Sequence, residues 1–124
     1  MRPLSLGKRE RIRKSRDFRR VYEQGNKTVS RCFVIYWMER TDERRRLGIS
    51  VSKKIGNAVK RNRAKRLVRE AFRHNKDRLG LGIDLVVVGR KGLEEKGFWT
   101  IDPLMAEELK RIEQRRHEFA YRET

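Results

Sequence analysis

Cys32 is the chain's only cysteine. That excludes an internal disulfide and a cysteine-built zinc site, and it fits a reducing cytoplasm. Aromatic residues make up only 8% of the 124, so aliphatic side chains must supply most of a modest core. No run approaches the roughly 20 apolar residues needed to span a bilayer. The basic N-terminus is not followed by the apolar stretch of a secretory signal. We therefore expect no membrane association.

Groups for acid–base chemistry are also scarce. The two histidines, His74 and His117, fall on separate predicted helices and read as solvated positions. Eight of the 17 acids lie in the C-terminal segment 94–124, mostly at surface-helix spacing, and Asp84 is the one carboxylate placed where a cleft could lie. Gly80–Gly82 and Gly89–Gly92 lack the lysine and the serine or threonine of a phosphate-binding loop. Ser50 and Ser52 have no histidine or lysine base at motif spacing. No catalytic residue and no metal ligand is assigned to the chain, which argues against an autonomous enzyme.

Positive charge, by contrast, is abundant. Lys and Arg number 34 against 17 Asp and Glu, a formal charge of +17. Such a chain repels itself unless a polyanion neutralises it. The segment 53–78 holds eleven basic residues and two acids, and residues 1–20 hold nine and two. Residues 94–124 reverse the balance, with six basic residues and eight acids. A merely solubilising charge has no reason to avoid one end, so the pattern predicts one anion-binding surface built from the N-terminal arm and the 53–78 segment. That segment is also amphipathic at helical spacing. Ala64, Leu67, Val68, Ala71 and Phe72 form one stripe, and Asn62, Lys65, Arg66, Arg69, Arg73 and Lys76 gather opposite.

The remaining elements read as follows. Residues 1–14 form a basic arm, mobile in isolation and ordered by phosphate. A helix over 16–24 is predicted, with Ser15 as N-cap, Asp17 in its first turn and Gly25 as its stop. Val21 reads as core, while Phe18 and Tyr22, flanked by arginines, read either as core or as rings presented to bases. Residues 31–39 form a strand apolar on both faces, with Phe33, Ile35 and Trp37 on one and Cys32, Val34, Tyr36 and Met38 on the other. A turn over 41–46 leads to a strand at 47–52 whose second face is small: Gly48, Ser50 and Ser52. That face reads either as the floor of a cleft or as an ordinary solvated surface. Residues 55–57 cap a helix over about 58–76, and a strand follows at 83–89. Asp102 and Pro103 mark the start of a closing helix with Met105, Leu109, Ile112 and Phe119 on one face. The whole is one domain over 1–124, an α+β two-layer sandwich of order α-β-β-(β)-α-β-α, with helices mainly on one face of a small mixed sheet. Its βαβ unit would cross over right-handed by the general rule.

Cations for phosphate contacts beside aromatics for stacking point to RNA. The signatures of sequence-reading folds are missing, so recognition by shape and backbone is expected. The stretch Leu47–Phe72, with Arg61-Asn62-Arg63 followed by Lys65, Arg66 and Arg69, closely resembles the bacterial ribonuclease P protein component family. Arg13–Gly25, Arg31–Trp37 and Ile83–Gly92 are similar to its corresponding stretches. The resemblance implies the protein subunit of a ribonucleoprotein endonuclease that removes the 5′ leader of precursor tRNA. The catalytic centre and its magnesium ions would then belong to the RNA subunit, with no obligate protein partner. It further implies an RNA-subunit-binding set of Lys53, Lys54, Arg61, Asn62, Arg63, Lys65, Arg66 and Arg69, and a leader cleft of Phe18, Tyr22, Tyr36 and Ser50. It also implies a left-handed βαβ crossover, against the general rule. The alternatives are a ribosomal-type or chaperone-like RNA-binding protein with no role in cleavage and, against the missing acid–base groups, a protein-only nuclease.

Overall fold

The computed structural model describes residues 6–123, with side-chain surroundings through residue 118. Residues 1–5 of the arm and the side chain of Phe119 lie outside the described residues. The elements are helix α1 (Ser15–Gln24), strands β1 (Asn26–Val29), β2 (Phe33–Glu39) and β3 (Arg45–Ser50), helix α2 (Ala58–Asn75), strand β4 (Ile83–Gly89) and helix α3 (Phe98–Glu123). Single 3-10 turns occupy Lys8–Glu10, Lys76–Arg78 and Leu93–Glu95. The sheet runs β1-β2-β4-β3, with β3 and β4 parallel and the other neighbours antiparallel. It is the mixed four-stranded sheet of an α+β fold, as expected. The optional strand of the predicted order is β1, a short polar edge element paired to β2.

The two faces of the sheet follow the period-two alternation. Phe33, Ile35 and Trp37 of β2 join Leu47, Ile83, Leu85 and Val87 in the main core. Over them pack Ala64, Val68, Ala71 and Phe72 of α2 and Ile101, Met105, Leu109 and Ile112 of α3. Two of the three helices thus share one face. On the other face α1 buries Val21 against Val86, with Ile12, Tyr36 and Met38 around them. Cys32 is buried in the main core rather than on the second face. It sits in a bend before β2 begins at Phe33, so the alternation does not extend back to it.

Capping explains where the helices begin. Asn57 starts α2 by accepting the Lys60 amide at 3.0 Å, as expected for a residue that satisfies a donor left free by the first turn. The N-cap of α1 is Lys14, not Ser15. Extended backbone runs through Lys14, whose carbonyl takes the Asp17 and Phe18 amides, and Ser15 is already helical with no side-chain cap. Gly25 ends α1 at a crowded point, where a Cβ would strike the Val21 carbonyl oxygen and lie 2.6 Å from that of Trp37. Helix α3 starts at Phe98, five residues before Pro103, because Gly97 offers its carbonyl to Thr100 and Ile101. Asp102 does not cap. Its carboxylate sits 2.7 Å from both His74 Nδ1 and Asn75 Nδ2, tying α3 to the end of α2. Pro103 lacks an N–H, so its cost to the helix is the bond that the Trp99 carbonyl would otherwise accept.

From Leu6 onward the basic arm is seated on the body of the protein. Leu6 and Ile12 are buried, 4% and 5% exposed, and the Ile12 amide bonds the Leu47 carbonyl at 3.0 Å. Lys76 reaches Glu10 at 3.3 Å, and Arg44 donates to the Arg9 carbonyl at 2.9 Å. Two apolar side chains among many cations give this segment a reason to dock that does not require phosphate.

Candidate nucleic-acid interface

Helix α1 packs on the second face of the sheet. Gly48 has no side chain, and the Phe18 ring fills the space: a Cβ there would lie 2.7 Å from Phe18 Cε1 and Cζ. Beyond that contact the helix and β3 separate. Ser15, Phe18, Arg19, Tyr22 and Ser50 line an open groove of about 350 Å³. Tyr22 meets Tyr36 edge-on at 5.0 Å and Phe18 at 6.5 Å between ring centroids, and Lys27 Nζ stands 6.0 Å from the Tyr36 ring. Phe18, Tyr22, Tyr36 and Ser50 are therefore brought together. The Phe18 ring both packs on Gly48 and walls the groove. The small-residue face of β3 is a cleft floor at Ser50. Ser52 lies past the end of the strand, where its hydroxyl accepts the Lys54 amide at 3.2 Å.

A second groove, about 160 Å³, opens on the other side of Phe18. Its floor includes Ile12, Leu47 and Ile49, and its rim carries Arg11, Arg13, Lys65 and Arg69. The arm and α2 thus contribute to one cationic surface, as the charge distribution predicted. Burial holds the Arg69 guanidinium below its ordinary value, helped by the neighbouring charges of Arg11, Arg73 and Arg66.

The ion-paired acids have their partners elsewhere. Among the described residues, none of the cations from Lys53 to Arg73 forms an ion pair with a carboxylate. Lys53 and Lys54 are exposed in the turn after β3, and Asn62 and Arg66 are exposed on α2. Arg61, Lys65 and Arg69 are half-buried. Arg63 lies toward the Leu93–Glu95 turn and donates its Nε to the Glu94 carbonyl at 2.9 Å. Its guanidinium is therefore a tether as well as a cation.

Asp84 lies on the cleft face of the sheet but is closed off from it. Arg46 binds it through two nitrogens at 2.7 Å each, and Arg40 at 3.0 Å. Arg46 also reaches Asp17 of α1 at 3.5 Å. His74 pairs with Asp102 and His117 with Glu113, both on the surface. Among the described residues no cluster of three or more His, Cys, Asp or Glu could hold a metal ion, and no helix is long and apolar enough to cross a membrane.

Residues 6–113, which contain both grooves and the whole of α2, match the family model described as Ribonuclease P. The chain belongs to the ribonuclease P protein family. It is 48% identical over 90 residues to the ribonuclease P protein component of Syntrophus aciditrophicus, covering 73% of this chain and 76% of that one. The Thermotoga maritima component is 41% identical over 113 residues, 88% of this chain and 97% of that one. The solved T. maritima protein superposes with a TM-score of 0.75 at 40% identity, over 83% of this chain and 97% of that one. The Staphylococcus aureus protein gives 0.73 at 38%, over 83% and 94%. The ribonuclease P resemblance of the Arg61-Asn62-Arg63 segment thus extends to the fold. Sequence reasoning missed Arg11 and Arg13 as groove residues. The available signal was Leu6 and Ile12, whose burial sets the arm beside α2.

Proposed function

We propose that this chain is the non-catalytic, RNA-binding subunit of a cytoplasmic ribonuclease P ribonucleoprotein that removes the 5′ leader of precursor tRNA. The observation that carries the reading is the position of Phe18, one ring walling both an aromatic groove and a cationic one. The aromatic groove is open and floored by a small residue, which suits a single strand whose bases stack while its phosphates meet Arg19 and Lys27. The cationic surface from Arg11 across α2 to Arg66 has the charge and breadth for a structured RNA, recognised through its backbone. In this reading Arg61, Asn62, Lys65, Arg66 and Arg69, with Lys53 and Lys54, grip the RNA subunit. Arg63 divides its role between that contact and its tether. Catalysis and the magnesium ions belong to the RNA, and the protein lowers the amount of magnesium needed by supplying fixed cations. Cleavage of a leader-bearing substrate by a bacterial ribonuclease P RNA at low magnesium tests this. Addition of the chain is expected to restore cleavage, and no effect would refute the assignment.

The two surfaces are separable by mutation. Phe18→Ala is expected to weaken holoenzyme binding of precursor tRNA by roughly 1–3 kcal/mol, or about 5- to 150-fold, the worth of one lost stacking partner. Assembly with the RNA subunit should change little. Equal losses for precursor and mature tRNA in competitive binding would count against the leader cleft.

A further inference from the structure

Trp99 is the most exposed large apolar side chain among the described residues, at 82%. Neither groove includes it. It stands on the first turn of α3 in a chain of ring contacts that continues inward: Trp99 meets Phe98 edge-on at 5.3 Å, and Phe98 meets His74 of α2 at 5.8 Å. A ring this exposed contributes little to folding, yet its mount is rigid. Behind it, the Asp102 carboxylate holds His74 and Asn75 at 2.7 Å each. Ahead of it, the turn that leads into α3 is fastened to α2 by the bond from Arg63 Nε to the Glu94 carbonyl at 2.9 Å. Both fastenings go to the helix that carries the unpaired cations, and one goes to the Arg61-Asn62-Arg63 motif itself.

We infer that Trp99 is a stacking platform for one unpaired nucleobase of the RNA subunit, extending the α2 contact surface beyond its cations. This rests on the proposed role as an RNA-binding subunit. A nucleobase suits the site better than a protein partner does. A protein hot spot sits within a contiguous desolvated patch, whereas the exposed neighbours here include Glu95, Lys96 and Thr100. A flat base needs only the face of one ring, and any base will serve. The turn bound by Arg63 sets the platform at a fixed place relative to the phosphate-binding row, so base and backbone of one RNA segment can be held together.

The chain has two tryptophans, and Trp37 is 1% exposed, so acrylamide quenching of fluorescence reads Trp99. On assembly with a bacterial ribonuclease P RNA transcript, quenching is expected to fall to the level of the Trp99→Phe variant, in which only Trp37 emits. A leader-length oligonucleotide alone should leave quenching unchanged. Trp99→Ala should weaken assembly roughly 10- to 100-fold, with Trp99→Phe within about threefold of wild type. The urea midpoint should not move for either variant, because the ring lies outside the core. Trp99 as open to acrylamide in the ribonucleoprotein as in the free chain would overturn the inference, as would protection by the leader alone or an unchanged Trp99→Ala affinity. Arg66→Ala separates the two levels. If it weakens assembly while Trp99 stays accessible, the subunit reading stands and the platform falls; if wild type does not bind the RNA, both fall.

Discussion

Replacing Arg66 and Arg69 together by alanine is expected to weaken assembly with the RNA subunit a hundredfold or more. Charge-assisted hydrogen bonds contribute about 1.5–3 kcal/mol each, so two lost phosphate contacts account for that loss. The slope of log affinity against log salt should flatten by about two units, one for each phosphate no longer neutralised. The free protein should respond in the opposite direction. Arg69 is half-buried beside Arg11, Arg66 and Arg73, and burial together with those charges already disfavours its ionised form. Removing it relieves repulsion that no carboxylate offsets, so stability to urea should hold or rise. This opposition distinguishes a binding surface from a structural one. Loss of affinity accompanied by loss of stability, or with an unchanged salt slope, would refute the assignment. Lysine at both positions should keep the salt slope but not the full affinity, because a lysine cannot reproduce a bidentate guanidinium contact.

The residues that carried the longest elements were legible because one physical signal dominated each. The stripe of Ala64, Leu67, Val68, Ala71 and Phe72 is buried as its helical spacing predicts, and the strand 83–89, with its continuous apolar centre, lies inside the sheet with neighbours on both sides. Errors arose where a local signal was outbid by a distant partner. Asp102 beside Pro103 has the composition of a helix start, but its carboxylate is held by His74 and Asn75, 28 and 27 residues earlier. Ser15 has a capping hydroxyl, but the helix starts from the Lys14 carbonyl, two residues after Ile12 bonds Leu47. Cys32 fits an alternating pattern that begins only after it.

The candidate site divides the same way. The grouping of Phe18, Tyr22, Tyr36 and Ser50 was implied by the family resemblance; the pairing of an amphipathic helix with a small-residue strand face, which lets Phe18, Tyr22 and Ser50 line one groove with Tyr36 against Tyr22, is in the sequence. That Arg63 turns away from its neighbours to the Glu94 carbonyl is not, since nothing in Arg61-Asn62-Arg63 distinguishes its two arginines. The second groove depends on the arm, whose cations conceal Leu6 and Ile12 in a composition typical of a free tail. The resemblance to ribonuclease P proteins supplied the specific RNA partner, which no charge pattern names.

Asp84→Ala is expected to destabilise the protein by about 3–5 kcal/mol, the usual cost of leaving a buried partner charge uncompensated. The carboxylate side chain is 3% exposed and receives three short contacts, two from Arg46 and one from Arg40. Arg40 retains Asp42 at 2.8 Å when Asp84 is lost, whereas Arg46 retains only Asp17 at 3.5 Å. The damage should therefore centre on Arg46, and through Asp17 it should reach α1, the helix that presents Phe18 and Tyr22. Two measurements separate these consequences. Urea unfolding of Asp84→Ala should show the loss of stability. The double variant Asp84→Leu with Arg46→Met, which replaces the buried pair with apolar side chains, should recover most of it, as such exchanges are often close to neutral. The double variant should still bind precursor tRNA more weakly in the holoenzyme, because the tie between the sheet and Asp17 is gone. If it regains both stability and precursor affinity, the network serves the fold alone and the orientation of α1 does not depend on it. If Asp84→Ala unfolds at the wild-type urea midpoint, the two contacts from Arg46 are not what holds it in place.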